Sequence, residues 1–181
     1  MSTTRVETSR LAPDRMRALA ADFASLHQAA FGESNEYTAR YRDESLPEMS
    51  RCTGFQGVAA WSGQRLAGFV VGYDATGIPS WFEPAMRAVE GTPVAGWLPD
   101  AWYFADIAVH PDVQGQGIGT RLHDQIMATV ADRRCMLITF HGEHPAKRFY
   151  FRRGWREVIP DIHWAPGKPC SSLMEFTGSP T

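Results

Sequence analysis

The stretch that decides the fold is IAVHPDVQGQGIGT, residues 107–120, where an apolar run meets a glycine-rich turn and then a helical pattern. Trp102–Val109 predicts a buried strand, which Pro111 ends. Apolar residues then recur at every fourth position and predict a helix over about 118–132. Between the strand and the helix lie three glycines, which permit a tight bend and a close approach to the backbone: Gly115, Gly117 and Gly119.

This turn predicts an anion site. The first amide N–H groups of a helix lack partners within the helix, and the helix dipole adds positive partial charge there, which suits a phosphate or pyrophosphate. A P-loop is disfavoured because Thr120 and Arg121 follow Gly119, where that motif needs a lysine. A dinucleotide fingerprint fits poorly, since the glycines are spaced GxGxG. A tight turn that binds no ligand stays the alternative.

The segments on either side predict an α/β chain with a mixed sheet and helices on its faces. Upstream, the pattern predicts a strand at Val6–Leu11, an amphipathic helix from Pro13 to near Gly32, a partly helical segment at 35–52 that Pro47 interrupts, and a hairpin of strands at 55–61 and 66–73. Downstream it predicts a strand at Cys135–Phe140, a helix at Pro145–Arg153 that Gly154 ends, and strands at 158–159 and 171–176.

The length of 181 residues suits a single domain over 1–181. Residues 74–100 are rich in glycine, proline and aromatic residues, and we expect them to form an insertion or lid with a short helix at 85–89. Residues 178–181 are expected to be a loose tail. Hydrophobic residues make up 44% of the chain and charged residues 21%, which excludes long-range disorder.

The net charge and the cysteines indicate which partners and which cellular compartment the sequence favours. A net charge of −2 gives little support to nucleic-acid binding. The three cysteines are Cys52, Cys135 and Cys170, and no CxxC occurs, which favours a reducing compartment over a disulfide framework or a structural zinc site. No stretch predicts a signal peptide or a membrane span. We therefore expect a cytoplasmic protein with no membrane partner.

A second motif, AKRFYFRRGW at residues 146–155, has the form A-x-x-F-Y-x-x-x-G-W. Together, the two motifs resemble the GNAT superfamily of acyl-CoA-dependent N-acyltransferases, most of all its small bacterial members with an aromatic insertion. The second motif carries the family's tyrosine as Tyr150, and the first matches through Val109, Pro111, Gln114, Gly117 and Gly119. The resemblance covers residues 5–176, is most specific over 102–155, and implies a single GNAT-type domain with splayed central strands.

The resemblance implies acetyl-CoA as the cosubstrate. The backbone of Ile107, Ala108 and Val109 would pair with the pantetheine arm, and the Val109 N–H would polarise the thioester carbonyl. The backbone amides that would hold the pyrophosphate belong to Gln114, Gly115, Gln116, Gly117, Ile118, Gly119 and Thr120. Glu143 departs from the family, which often has asparagine there, so that contact to the cofactor arm is expected to be missing or supplied differently.

Two catalytic residues follow from the resemblance. Tyr150 would donate a proton to the leaving thiolate, and its alternative is an aromatic core residue with a polar tip. Asp106 would be the base that deprotonates the amine, and its alternative is a structural carboxylate. A water chain, Glu83, Glu90 or Glu143 could serve as the base instead.

Aromatic residues around the insertion are the candidate wall of an acceptor site: Trp81, Phe82, Trp97 and Tyr103. Their alternative is a satellite core under a long loop. We expect no metal site, because His141 and His144 belong to a loop HGEH segment and not to a helical HExxH motif.

The expected function is direct transfer of an acetyl group from acetyl-CoA to a primary amine on a small molecule or peptide. Two alternatives stay open: transfer of a longer acyl group, and a low-turnover regulatory protein that binds acyl-CoA. The sequence leaves the acceptor unidentified. A homodimer is compatible with the family.

Overall fold

The computed structural model describes residues 6–163 and 169–178, apart from the side chain of Trp81. Its strands are β1 (Val6–Arg10), β2 (Gln56–Ser62), β3 (Arg65–Asp74), β4 (Trp102–Val109), β5 (Cys135–Phe140), β6 (Trp155–Ile162) and β7 (Ser171–Phe176). Its α-helices are α1 (Pro13–Ala18), α2 (Ala20–Phe31), α3 (Asn35–Arg40), α4 (Leu46–Arg51), α5 (Glu83–Arg87), α6 (Ile118–Ala128) and α7 (Pro145–Arg152). The loose tail was predicted at residues 178–181, and all of it except Gly178 lies outside the described residues.

The strands form a mixed sheet in the order β1-β2-β3-β4-β5-β7-β6. β1 with β2, β2 with β3, β5 with β7, and β6 with β7 pair antiparallel, whereas β4 and β5 pair parallel. The parallel pairing joins Trp102 to Cys135 and Tyr103 to Met136. Such a short pairing fits the splayed central strands that the family resemblance implies.

The element order agrees with the prediction, and β4, β5 and β7 have the predicted bounds. The predicted first helix is divided, because Leu19 leaves helical geometry with φ −109° and ψ 21°. The bounds predicted for the strand at 158–159 were wrong: β6 is longer because it pairs with β7 through two irregularities in register. The helix predicted to reach residue 132 ends at Ala128, where the backbone tightens into a turn.

The prediction that Pro47 interrupts a helical segment was also wrong. Residues 35–51 are helical throughout, because a π-helical turn at Tyr41–Ser45 joins α3 to α4. Pro47 then lies in the first turn of α4, where the absence of its N–H does little harm. The π-helical turn also changes the direction of the side chains that it carries, a feature often found at functional sites.

The contacts divide the chain into two compact units. The first unit contains the residues up to Tyr73 together with Ala105–Ala131. Its core packs α2 and α6 on β2 and β3, with the rings of Phe23 and Phe69 edge-to-face at 5.0 Å. This unit therefore contains the whole turn between β4 and α6.

The second unit contains Asp74–Phe104 and the residues from Asp132 onward. Its core is built on buried aromatic residues, with the Phe104 ring 5.6 Å from Trp155 and the Trp155 ring 5.4 Å from Phe176. The insertion belongs to this unit and holds α5 with several 3-10 turns, so the short helix predicted at 85–89 lies two residues earlier. Among the described residues, every helix is too short or too polar to cross a membrane.

Candidate active site

The strand, turn and helix of the first motif lie within the first unit. β4 ends at Val109, a 3-10 turn follows at Pro111–Val113, and Gly117 is the N-cap of α6. Gly115 and Gly117 have φ values of 76° and 77°, which other residues rarely adopt. A Cβ atom at either position would meet nothing within 4 Å. The left-handed backbone therefore requires glycine here, and the space beside the turn is open.

Hydrogen bonds tie this turn to the strand before it. The Gln114 side-chain amide donates to the Val109 carbonyl at 3.0 Å, and the Gln114 backbone N–H donates to the Pro111 carbonyl at 3.3 Å. An Arg65 guanidinium nitrogen from β3 lies 2.8 Å from the His110 ring. Gln114 was predicted to hold the cofactor through its backbone N–H, but that N–H donates to the Pro111 carbonyl within the turn. Its contacts indicate a positioning residue.

The start of α6 fits a pyrophosphate. The helix has eleven residues, and the Arg121 N–H donates to the Gly117 carbonyl at 3.1 Å as the helix begins. The amides of Ile118, Gly119 and Thr120 have no partner inside the helix, because an α-helix leaves its first N–H groups unpaired. Ile118 is buried and anchors the helix, so these amides are held in place beside the open turn.

The peptide group between Ala108 and Val109 has a defined orientation. A Cβ atom placed on Gly68 of β3 would lie 2.9 Å from the Ala108 carbonyl oxygen, so that carbonyl faces β3. The His110 N–H also faces β3, where it donates to the Ala67 carbonyl at 2.9 Å. In a trans peptide the C=O and N–H bonds point in opposite directions. The Val109 N–H therefore points away from β3, as pairing with a cofactor arm requires.

Asp106 lies in β4 and is enclosed, with 14% of its side chain exposed. The Tyr41 hydroxyl, from the π-helical turn, donates to one carboxylate oxygen at 2.5 Å. His27 of α2 places its Nε2 atom 3.4 Å from the same oxygen. Burial and the Asp106 charge raise the pKa of Tyr41 well above its ordinary value, so its hydroxyl stays protonated as a donor.

Three rings surround this carboxylate, and we call His27, Tyr37 and Tyr41 the aromatic stack. The His27 ring lies 4.2 Å from Tyr41 and 5.9 Å from Tyr37, and both contacts are stacked. Burial, followed by the charges of Asp106 and Glu33, raises the pKa of Tyr37 to about 12. The sequence analysis missed the stack, although the spacing of Tyr37 and Tyr41 by four residues in a helical segment was a signal for it.

Tyr150 lies in the second unit, on α7, and is buried. Its ring meets Phe104 edge-on at 6.0 Å and Trp155 at 5.9 Å. His144 caps the helix, because its Nδ1 atom accepts a hydrogen bond from the Ala146 N–H at 3.1 Å. The tyrosine is thus held on a capped helix against a rigid aromatic core.

The insertion residues separate into different environments within the second unit. Phe82 and Tyr103 are buried together with their rings 4.8 Å apart. Trp97 is half-buried, and the Arg134 guanidinium carbon lies 4.4 Å from its ring centre. The side chain of Trp81 lies outside the described residues. The structure therefore brings Phe82 and Tyr103 together and sets Trp97 against a cation.

The other candidate bases are more exposed than Asp106. The Glu83 side chain is 57% exposed and lies 3.6 Å from Arg87. The Glu143 side chain is 92% exposed and lies 3.6 Å from Arg148. Among the carboxylates considered, Asp106 is the one enclosed by aromatic rings and hydrogen-bonded within its own unit.

The mixed sheet, the glycine turn after β4 and the N-terminus of α6 together form the structural setting of the first motif. The sequence profile described as "Acetyltransferase (GNAT) family" matches residues 19–155, and the chain belongs to this family. Family membership confirms the resemblance and the fold.

Solved structures give the same fold. The PaiA N-acetyltransferase from Thermoplasma acidophilum, in complex with coenzyme A, is 15% identical with a TM-score of 0.60, and the match covers 95% of this chain and 98% of that one. An aminoglycoside 6'-N-acetyltransferase complexed with coenzyme A is 17% identical with a TM-score of 0.66, over 97% and 98%. The ribosomal-protein-S18-alanine N-acetyltransferase from Escherichia coli is 15% identical with a TM-score of 0.59, over 97% and 95%. The curated proteins contain no significant match.

Proposed function

We propose that the protein transfers the acetyl group of acetyl-CoA directly to a primary amine. The observation that carries the proposal is the position of Asp106, an enclosed carboxylate in β4 directly before the Ile107–Val109 backbone. The Val109 N–H points away from β3, which leaves that backbone oriented toward a ligand. A base and an oxyanion donor three residues apart on one strand are what direct acyl transfer to an amine needs.

The residues proposed to hold the cosubstrate lie in the first unit. The backbone of Ile107, Ala108 and Val109 would pair with the pantetheine arm. The turn and the first amides of α6 would hold the pyrophosphate, from Gly115 through Thr120, with Gln114 keeping the turn against β4. The open space beside Gly115 and Gly117 supports this arrangement.

Acetyl-CoA supplies the acetyl group as a thioester, whose C–S bond breaks as the C–N bond to the amine forms. The Val109 N–H would donate to the carbonyl oxygen as negative charge develops on it, a contribution of about 3 kcal/mol in comparable sites. The peptide group that carries this N–H is held by the packing of Ala108 against Gly68.

The amine must lose a proton, because alkylammonium groups have pKa values near 10 and cannot attack while protonated. Asp106 is proposed as the acceptor of this proton. Tyr41 fixes one carboxylate oxygen, and His27 lies beside the same oxygen. Tyr41 and His27 are positioning residues in this scheme, since they act through Asp106.

Tyr150 is proposed as the proton donor to the leaving thiolate. Its support is the second motif, together with its place on a capped helix. Packing against Phe104 and Trp155 would hold its ring in one orientation.

The acceptor would carry a cationic amine. The aromatic stack and the Asp106 carboxylate lie together, and a carboxylate beside aromatic rings would favour an ammonium group. Trp81, Phe82, Trp97 and Tyr103 stay candidates for an acceptor wall, although Phe82 and Tyr103 are buried and Arg134 lies over the Trp97 ring. The names of the related structures span an aminoglycoside and a ribosomal-protein alanine, so small-molecule and protein acceptors both belong in the test. The cytoplasmic location and the homodimer stay predictions.

The test is acceptor-dependent release of coenzyme A thiol from acetyl-CoA, over a panel of polyamines, aminoglycosides, amino acids and short peptides. Asp106→Asn and Tyr150→Phe should each lower kcat by about 100-fold. Asp132→Asn removes an exposed carboxylate of the second unit and should leave kcat unchanged. Full activity in Asp106→Asn would refute the proposed base.

Two further outcomes identify the alternatives. Faster turnover of longer acyl-CoA esters on the same acceptor would indicate a longer acyl donor. Tight acetyl-CoA binding with no thiol release over the whole panel would favour the regulatory protein.

A further inference from the structure

A cluster of metal-ligating side chains lies in the second unit, apart from every residue assigned above. His141, Asp161 and Cys170 each place one ligand atom within 4.8 Å of the others. His141 and Asp161 are exposed and Cys170 is half-buried, so an ion could reach them from solvent. We propose that these three side chains bind a divalent transition-metal ion of the zinc class.

The strand register explains how residues so distant in sequence meet. Ser171, the first residue of β7, is opposite Phe140 of β5 on one side and Ile162 of β6 on the other. One step further along these antiparallel pairs, His141 and His163 come opposite Cys170 from the two sides. Asp161 lies two positions before His163 and therefore on the same side of its strand.

The distances between the ligand atoms lie near those of a tetrahedral site. With metal–nitrogen and metal–oxygen bonds of about 2.05 Å and a metal–sulfur bond of about 2.3 Å, ligand atoms in a tetrahedron are about 3.3–3.6 Å apart. The His141 Nδ1 atom lies 2.9 Å from an Asp161 oxygen. The Cys170 sulfur lies 3.8 Å from that oxygen and 3.5 Å from the Nε2 atom of His163. The ligand atoms of His141, Asp161 and Cys170 lie within 4.8 Å of one another, so side-chain movements of about 1 Å would bring them to bonding positions.

The kinds of ligand atom at the site determine which metal ion it prefers. A thiolate with an imidazole and a carboxylate suits zinc and its borderline-soft relatives, whereas magnesium and calcium prefer oxygen ligands alone. The thiolate and the carboxylate together neutralise a divalent charge. His163 is the nearest candidate for a fourth ligand, through its contact with the Cys170 sulfur. His141 would exchange its contact with the Pro160 carbonyl, now 3.0 Å, for the metal.

Sequence spacing could not show this site. Of the segment HGEH, only His141 takes part. The other ligands follow 20 and 29 positions later, with Asp161 in β6 and Cys170 directly before β7. The ion would fasten the ends of β5, β6 and β7 to one another, and its binding does not depend on the proposed acetyl transfer.

The test is a titration of the purified, tag-free protein with Co²⁺, followed by competition with Zn²⁺. The expected result is one Co²⁺ per chain, with a thiolate-to-cobalt charge-transfer band in the near ultraviolet and tetrahedral bands in the visible. Cys170→Ser should abolish the charge-transfer band, and His141→Gln should weaken Zn²⁺ binding at least tenfold. Circular dichroism establishes that both variants are folded.

Cys52→Ser is the matched control, because burial raises the pKa of the half-buried Cys52 thiol to about 11 and makes it a poor ligand. This variant should keep the band. Zn²⁺ should also protect Cys170, but not Cys52, from alkylation by iodoacetamide. The proposal is overturned if no thiolate band appears, if the band survives in Cys170→Ser, or if it is lost in Cys52→Ser.

Discussion

Replacing Gly68 by alanine tests both the packing of β4 and the role proposed for its backbone. The new Cβ atom would lie 2.9 Å from the Ala108 carbonyl oxygen, 3.1 Å from a Leu122 methyl carbon and 3.3 Å from a Val109 methyl carbon. The first distance is below any that real Cβ atoms show, and the atom that it meets belongs to the backbone. The strand must therefore move, because a flexible side chain cannot absorb the contact.

The size of the effect follows from these distances. An ordinary contact begins at 3.4 Å, so the Ala108 peptide must shift by about 0.5 Å, the difference between 3.4 and 2.9 Å. Overpacking of this kind costs about 1–3 kcal/mol, or about 2–12 °C in Tm for a chain of this length. The same peptide carries the Val109 N–H, so the proposed oxyanion donor shifts as well. Since a misplacement of about 1 Å can cost 100-fold in rate, we expect kcat to fall by about tenfold.

The assay combines thermal unfolding with thiol release at saturating acetyl-CoA, using an acceptor identified in the panel. Gly96→Ala is the control, because a Cβ atom at Gly96 meets nothing within 4 Å and its φ is not positive. It should change the stability by less than about 0.5 kcal/mol. A Tm for Gly68→Ala equal to that of Gly96→Ala would refute the packing argument. A lowered Tm with unchanged kcat would keep the packing and refute the donor role of Val109.

Three further predictions concern other features. The pKa of Tyr37 is raised from 10.0 to about 12. Protonated Tyr37 therefore adds to the free energy of unfolding in full below pH 10, and this contribution is lost as the pH rises toward 12. Tyr37→Phe should reduce the fall in Tm between pH 8 and pH 11. The Lys147 ammonium donates to the Ser172 hydroxyl and pairs with Glu157, and only 9% of its side chain is exposed. Lys147→Met should lower the free energy of unfolding, measured in urea, by about 2 kcal/mol, because it leaves the Glu157 carboxylate without its partner. Adding Glu157→Gln should recover part of that loss. Gly117→Ala forces alanine to a φ of 77° and should cost about 1–2 kcal/mol, with a larger change in KM for acetyl-CoA than in kcat.

The local sequence pattern was sufficient to predict the strands and helices that position the first motif. The bounds of β4 and β5 could be predicted because both are short apolar runs between a breaker and a polar turn. The helix before Gly154 could be predicted because a glycine with φ 86° ends it. The prediction of an anion site rests only on the glycine spacing and the start of the helix that follows, since both lie within fourteen consecutive residues.

Long-range contacts account for what the sequence did not show. Tyr41 and Asp106 are 65 positions apart, and no periodicity relates them. The π-helical turn that carries Tyr41 has no sequence signal of its own beyond the proline that follows it. The length of β6 was missed because its pairing with β7, and not its own alternation, forms the strand.

Two side chains contact the same oxygen of the Asp106 carboxylate. The Tyr41 hydroxyl donates a hydrogen bond to that oxygen, and the His27 Nε2 atom lies 3.4 Å from it. Removing either contact would leave the carboxylate less firmly positioned. The His27 ring stacks on Tyr41 with the ring centres 4.2 Å apart, so a change at Tyr41 also reaches His27. Tyr41→Phe removes the hydrogen bond that fixes the carboxylate, so kcat should fall by about tenfold while KM for acetyl-CoA stays unchanged. A kcat equal to that of the unaltered protein would refute the positioning role of Tyr41.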